Sequence, residues 1–85
     1  MSDWKYIVLK PALRYLERMP RDEQIRIINA LDTLVSNPEV LDIKPLKGRL
    51  ECRIRVGKYR ILFIEDTDKQ TYVVTMIGPR GDIYK

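Results

Sequence analysis

The chain has no histidine. That gap removes the usual general base at neutral pH, serine–histidine triads and imidazole-ligated metal centres. One cysteine, Cys52, excludes an intrachain disulfide and a zinc cluster and points to a reducing compartment. The four glycines, at 48, 57, 78 and 81, are scattered and each fits a turn, so there is no glycine loop to cradle phosphates. Apolar stretches fall well short of the ~20 residues that span a membrane. The opening Met1-Ser2-Asp3-Trp4-Lys5 lacks the basic-then-apolar pattern of a secretion leader. Asp66, Asp68 and nearby Glu65 are the nearest approach to a carboxylate cluster. Their spacing is not that of a calcium loop, and a polar hairpin tip uses such residues anyway. These gaps predict a cytoplasmic protein with no membrane attachment, no metal and no cofactor.

What is present is a small domain with unevenly placed charge. Its 85 residues suffice for one domain, 1–85, with a thin core. A hydrophobic share of 45% with 33% charged residues fits a folded chain rather than a disordered one. The net charge of +4 hides an asymmetry: residues 1–42 hold six basic and seven acidic side chains, residues 43–85 ten and five. Between 44 and 60, Lys44, Lys47, Arg49, Arg53, Arg55, Lys58 and Arg60 stand against Glu51 alone. Such concentration is the footprint of a polyanion site, nucleic acid above all, with a merely solvated strand face as the plain alternative.

Hydrophobic spacing predicts an α+β fold in the order β-α-α-β-β-β. Trp4 to Lys10, rich in aromatic and β-branched residues, reads as a strand. Pro11 ends it and opens a helix carrying Leu13, Leu16 and Met19, which Pro20 stops. A second helix starts near Arg21-Asp22-Glu23, where acidic side chains suit the positive end of the helix dipole. Its apolar stripe is Ile25, Ile28, Leu31 and Val35, widened by Ile27 and Leu34, and Asn37-Pro38 terminates it. Residues 39–50 read as a connector, with Leu46-Lys47-Gly48 turning into the sheet. Strands follow at Glu51–Val56, Tyr59–Glu65 and Thr71–Ile77 as a three-stranded antiparallel meander. Gly57-Lys58 fits a two-residue type II′ turn and 66–70 a longer polar one. The amphipathic helical hairpin is expected to cover one face of the sheet and leave the other to a ligand.

That open face is where the chemistry gathers. Arg53 and Arg55 point the same way by strand alternation, and Arg60 lies just across the hairpin turn. Arg80 and Tyr84 follow the last strand. Arginine holds a phosphodiester bidentately and stabilises the extra charge of its transition state without a metal. A tyrosine among guanidinium groups has its phenolate favoured and can take a proton from a ribose 2′-hydroxyl. RNA carries that internal nucleophile and DNA does not. Plainer roles exist for each aromatic: Tyr6, Tyr59 and Tyr72 as sheet or core residues, Trp4 as the first strand's anchor, Tyr84 as a frayed end. Arg80 has one too, a bridge to Asp82, and Cys52 reads as a small buried side chain. Composition and spacing alone thus give a basic α+β domain suited to RNA.

Taken along its length, the chain resembles the RelE/ParE superfamily of type II toxins. The resemblance rests on the initial strand and helical hairpin, Leu46-Lys47-Gly48, the basic strand Cys52–Arg55, Gly57-Lys58-Tyr59-Arg60, and Gly78-Pro79-Arg80 running to Ile83-Tyr84. Within the superfamily, Arg80 and Tyr84 added to Arg53, Arg55 and Arg60 are similar to the RelE-like ribosome-dependent mRNA endonucleases. The resemblance implies that Arg53 and Arg55 bind the message, Arg60 stabilises the transition-state phosphate, Arg80 contacts the phosphate and leaving group, and Tyr84 orients a base and takes part in proton transfer. Lys44, Lys47, Arg49 and Lys58 would add RNA contacts. It further implies metal-independent cutting in the ribosomal A site, a 2′,3′-cyclic phosphate product, and a cognate antitoxin that blocks the basic face. Positions 53 and 55, commonly lysine in RelE toxins, are arginine here; guanidinium stays protonated, so the base is sought at Tyr84 or on the ribosome. The Glu/His acid–base pair of some relatives is absent. The alternatives are a ParE-like inhibitor of DNA gyrase without nuclease activity and a non-catalytic basic RNA-binding module.

Overall fold

A computed structural model of the chain describes residues 3–79. The order is β1 (Lys5–Val8), α1 (Lys10–Arg18), α2 (Arg21–Ser36), a 3-10 turn (Pro38–Val40), β2 (Ile43–Pro45), β3 (Cys52–Val56), β4 (Tyr59–Asp66) and β5 (Thr71–Pro79). The α+β class, the helical hairpin and the antiparallel meander of β3, β4 and β5 match the expectation. β2 is an addition inside the stretch read as connector. It is three residues long and contains a proline, which is tolerated because the strand sits at the sheet edge, paired only with β3. β1 ends two residues earlier than expected because Lys10 and Pro11 already form the first turn of α1.

The five strands form one mixed sheet in the order β1-β5-β4-β3-β2. β1 lies parallel beside β5, with Tyr6 opposite Tyr72 and Val8 opposite Val74. Cross-strand partners share a face, so the register assigns every side chain. Ile54, Ile61, Phe63, Val74 and Ile77 face the helices and are buried with Ala12, Leu16, Ile27, Leu31 and Leu34. A bulge keeps this core continuous: Leu62 pairs with Met76 but Phe63 with Val74, leaving Thr75 as the extra residue. Without it, strict alternation from Ile77 would bring Thr75 and Val73 inward. With it, Val74 and Tyr72 turn in instead. Phe63 then meets Tyr72 edge-on at 5.6 Å, and Trp4 stacks on Tyr72 at 4.6 Å.

The stripe of α2 differs from the expected one. Ile27, Ala30, Leu31 and Leu34 are buried, whereas Ile25 and Ile28 are exposed. Apolar residues occupy too wide an arc of this helix for periodicity to fix its rotation. Ala30 marks the side where the helix packs closely. On α1 the same correction applies: Ala12 is buried and Leu13 is exposed. The β3–β4 turn follows its expected type, with Gly57 at φ +57 and Lys58 negative.

Candidate functional site

The face of the sheet away from the helices carries the basic side chains. Arg55 is directly opposite Arg60, and Arg53 lies between Lys44 and Leu62. A cleft of about 500 Å³ opens there, lined by Lys44, Lys47, Arg53, Arg55 and Arg60 with Pro45 and Leu46. The unforeseen strand β2 makes this possible, because its pairing with β3 sets Lys44 beside Arg53 and leads Leu46 and Lys47 round the rim. Like charges opposite one another on a sheet repel. Five cations around one small space are therefore kept together by the fold, and only an anion relieves them.

The three arginines are not equivalent. Arg53 and Arg55 share the carboxylate of Asp42, at 3.4 Å from Arg53 Nη1 and 3.8 Å from Arg55 Nε. Arg60 is 3% exposed and has no carboxylate within ion-pair distance among the described residues. Its Nη1 donates a long 3.4 Å hydrogen bond to the Tyr59 carbonyl, and its buried Nε has no partner among the described residues. Alternation predicts which face Arg60 is on, not its depth. The residue opposite it on β5 is Gly78, which has no side chain to fill the space over the strand. A desolvated guanidinium with a spare donor is costly unless an anion reaches it.

Other candidates fall elsewhere. Arg49 pairs with Glu51 at 2.9 Å and Lys58 holds its ammonium 5.6 Å from the Tyr59 ring centroid; neither lines the cleft. Arg80 and Tyr84 lie outside the described residues. Cys52 pairs with Phe63 on the core side, where burial, and then the charge of Glu65, push its thiol upward and away from nucleophilic use. Among the described residues no three of His, Cys, Asp and Glu gather to hold a metal ion, and no helix is long and apolar enough to cross a membrane. Asp42 is not singled out by the sequence and becomes visible only through its contacts with Arg53 and Arg55, whereas Gly78, expected in a turn, lies within β5 opposite Arg60.

Comparison with known proteins bears on this geometry. The family model described as the ParE toxin of the type II toxin–antitoxin system parDE matches residues 6–84. The candidate toxin RelE1 of Methanocaldococcus jannaschii is 32% identical over 80 residues, covering 89% of both chains. The chain belongs to the RelE/ParE superfamily of type II toxins. Solved RelE toxins share the superfamily fold. The chain in the RelE–RelB complex from Pyrococcus horikoshii OT3 superposes with a TM-score of 0.79 at 22% identity, covering 93% of this chain and 97% of that one. The chain in the RelB–RelE antitoxin–toxin complex from Methanococcus jannaschii gives 0.75 at 28% identity, covering 93% and 95%.

Proposed function

We propose that this superfamily member cuts messenger RNA in the ribosomal A site. The observation that carries the reading is Arg60, buried and with its Nε unpartnered among the described residues, in a cleft lined by four further cations. A phosphodiester is an anion of the right size for such a space. Arg53 and Arg55 would grip the backbone on either side of the scissile phosphate. The Arg60 guanidinium, held in a water-poor position, would stabilise the second negative charge that develops as the 2′-oxygen attacks phosphorus. Arg80 would meet the phosphate and the leaving 5′-oxygen, and Tyr84 would orient a base and move the proton. The bond formed is 2′-O–P and the bond broken is P–O5′, giving a 2′,3′-cyclic phosphate and a 5′-hydroxyl. Guanidinium groups supply the charge, so no metal is needed for this step.

Few residues are available to align the substrate, and alignment is a large part of such catalysis. The ribosome would supply it, and naked RNA should be cut slowly. A cognate antitoxin is the expected protein partner, since the structural relatives from Pyrococcus and Methanococcus are RelE toxins in complex with RelB. A second reading, gyrase inhibition without hydrolysis, is favoured by the matching family model, which is that of the ParE toxin.

A translating extract separates these readings. Purified chain should cleave message there and leave the same RNA whole without ribosomes. Arg80→Ala and Tyr84→Phe should slow cutting at an unchanged melting temperature. Intact message with accumulating gyrase-cleaved DNA would replace the nuclease by the gyrase inhibitor. Salt-sensitive RNA binding with no cutting in either setting would leave a binding module.

A further inference from the structure

We infer that Asp42 is a positioning residue that holds two arginines of the basic cleft, Arg53 and Arg55, in place of a phosphate and so sets how readily the cleft takes polyanions. The inference deepens the proposed function and rests on its reading of the cleft as a phosphodiester site. Asp42 stands just before β2, and its carbonyl accepts the Arg55 backbone N–H at 3.3 Å and a long 3.5 Å bond from Arg53 Nη1, which holds it beside both arginines. From there its Oδ2 reaches both Arg53 and Arg55, and no other carboxylate among the described residues pairs with a cleft arginine. Glu51, the lone acidic residue of the basic stretch 44–60, is engaged with Arg49.

The distances say what kind of contact this is. Charge-assisted N–H···O bonds close to about 2.7–2.9 Å when they are strong. At 3.4 and 3.8 Å the carboxylate makes a loose electrostatic hold on two guanidiniums at once. Asp42 is 57% exposed by side chain, so the pairing adds little to stability. Its effect falls on binding instead. A carboxylate presents the same charge and oxygen geometry as a phosphate edge, and an incoming phosphate must share or displace it to take Arg53 and Arg55. Arg60, which has no such occupant, is left as the ready donor. A phosphate placed deeply enough to reach Arg60 can compensate for displacing Asp42; one that touches only the rim cannot. Asp42 thus favours a phosphodiester threaded into the cleft over polyanions that brush its edge.

The test is binding of a fluorescent single-stranded 2′-O-methyl oligoribonucleotide, which cannot be cut by 2′-attack, to the full chain across a salt series. Asp42→Asn should bind about five- to tenfold more tightly at low salt. Its slope of log affinity against log salt should steepen by about 0.7, the value of one further phosphate contact on a single strand. Asp42→Glu, which keeps the carboxylate, should stay near wild type, and all three chains should melt alike. In the translating extract, Asp42→Asn should lower the half-saturating ribosome concentration more than it changes the maximal rate. Equal or weaker oligonucleotide binding by Asp42→Asn, an unchanged slope, or no binding by either chain would overturn the assignment. A steeper slope together with uncut message in the extract would sink the nuclease reading and leave Asp42's role standing.

Discussion

On one face of the β3–β4 hairpin, Ile54 pairs with Ile61 and Cys52 with Phe63 beneath the helices; on the other, Arg55 pairs with Arg60 and Arg53 with Leu62 beside an open cleft. Both faces hang on the same backbone ladder. The first is favourable for folding, since each apolar side chain leaves water. The second is unfavourable, since it sets like charges opposite one another and buries one of them with no carboxylate to pair with among the described residues. The contrast separates residues that hold the fold from residues that the fold holds in place. Changes on the core face should act on stability, and changes on the cleft face on function.

Phe63→Ala should have the largest effect. Phe63 is fully buried between the helices and Tyr72, and truncation of such a residue costs about 3–5 kcal/mol. Small domains have a total stability of roughly 5–15 kcal/mol, so chemical denaturation should show a large share of it gone. Arg60 should give the opposite signature. Arg60→Met keeps volume and removes a desolvated charge, so stability should hold or rise, as when buried ionic groups yield to apolar ones. Message cutting should fall by about 10²–10³-fold, the scale of removing one donor to a developing oxyanion. Loss of stability in Arg60→Met, or full activity, would break the division between the faces.

The legibility of the two faces differs in the same way. Alternating Ile54, Ile61 and Phe63 and the Gly57 turn were enough to read β3, β4 and their register, because hairpin pairing is local. The same alternation assigned Arg53, Arg55 and Arg60 to one side. It could not give depth: Arg60 is buried at 3% exposure in a sheet whose facing residue, Gly78, lies eighteen residues further along the chain. Nor could it place β1 beside β5, a parallel pairing between chain segments far apart in sequence. β2 and Asp42 escaped for a related reason. Three residues ending in proline carry no periodic signal, and a lone aspartate in a connector is ordinary until its neighbour across the ladder is known. Periodicity does not fix the rotation of α2, because apolar residues at 25, 27, 28, 31, 34 and 35 spread over about half of the helix, and only the packed partner decides among them.

Gly57→Ala probes the turn that joins the faces. Gly57 has φ +57, and a Cβ there would meet Arg26 Nη2 at 2.8 Å. The left-handed backbone should cost roughly 1–2 kcal/mol for a residue with a side chain. The Arg26 clash is with the end of a flexible, exposed side chain and should add little. The double variant Arg26→Ala/Gly57→Ala therefore sharpens the point. If it melts like Gly57→Ala relative to its own Arg26→Ala parent, backbone strain carries the effect. If the penalty vanishes, the guanidinium contact does. Cutting activity should survive in proportion to folded protein, because neither substitution removes a side chain lining the cleft.

The smallest effect lies in the response to alkali. It comes from the helix side, at Tyr6. Its phenol is pushed above its ordinary value of 10.0 by burial first, then by the charge of Asp32 on α2, then by the 3.5 Å hydrogen bond it donates to Asp32 Oδ1. A folded-state value above the unfolded one means the native chain keeps a proton that the unfolded chain releases. This stabilisation is whole below the unfolded phenol's pKa, about 10, and is lost as pH rises through the folded value. Tyr72 on β5 shifts the same way through burial and Glu65, so both tyrosines contribute to alkaline unfolding. Melting curves taken from neutral pH upward should show Tyr6→Phe losing stability less steeply than wild type above about pH 10. Parallel curves would mean that the Tyr6–Asp32 contact does not couple to folding. A Tyr6→Phe curve that converges on wild type from below would show that the contact supports the fold only while the phenol is neutral, the behaviour expected of a tyrosine on the covered face.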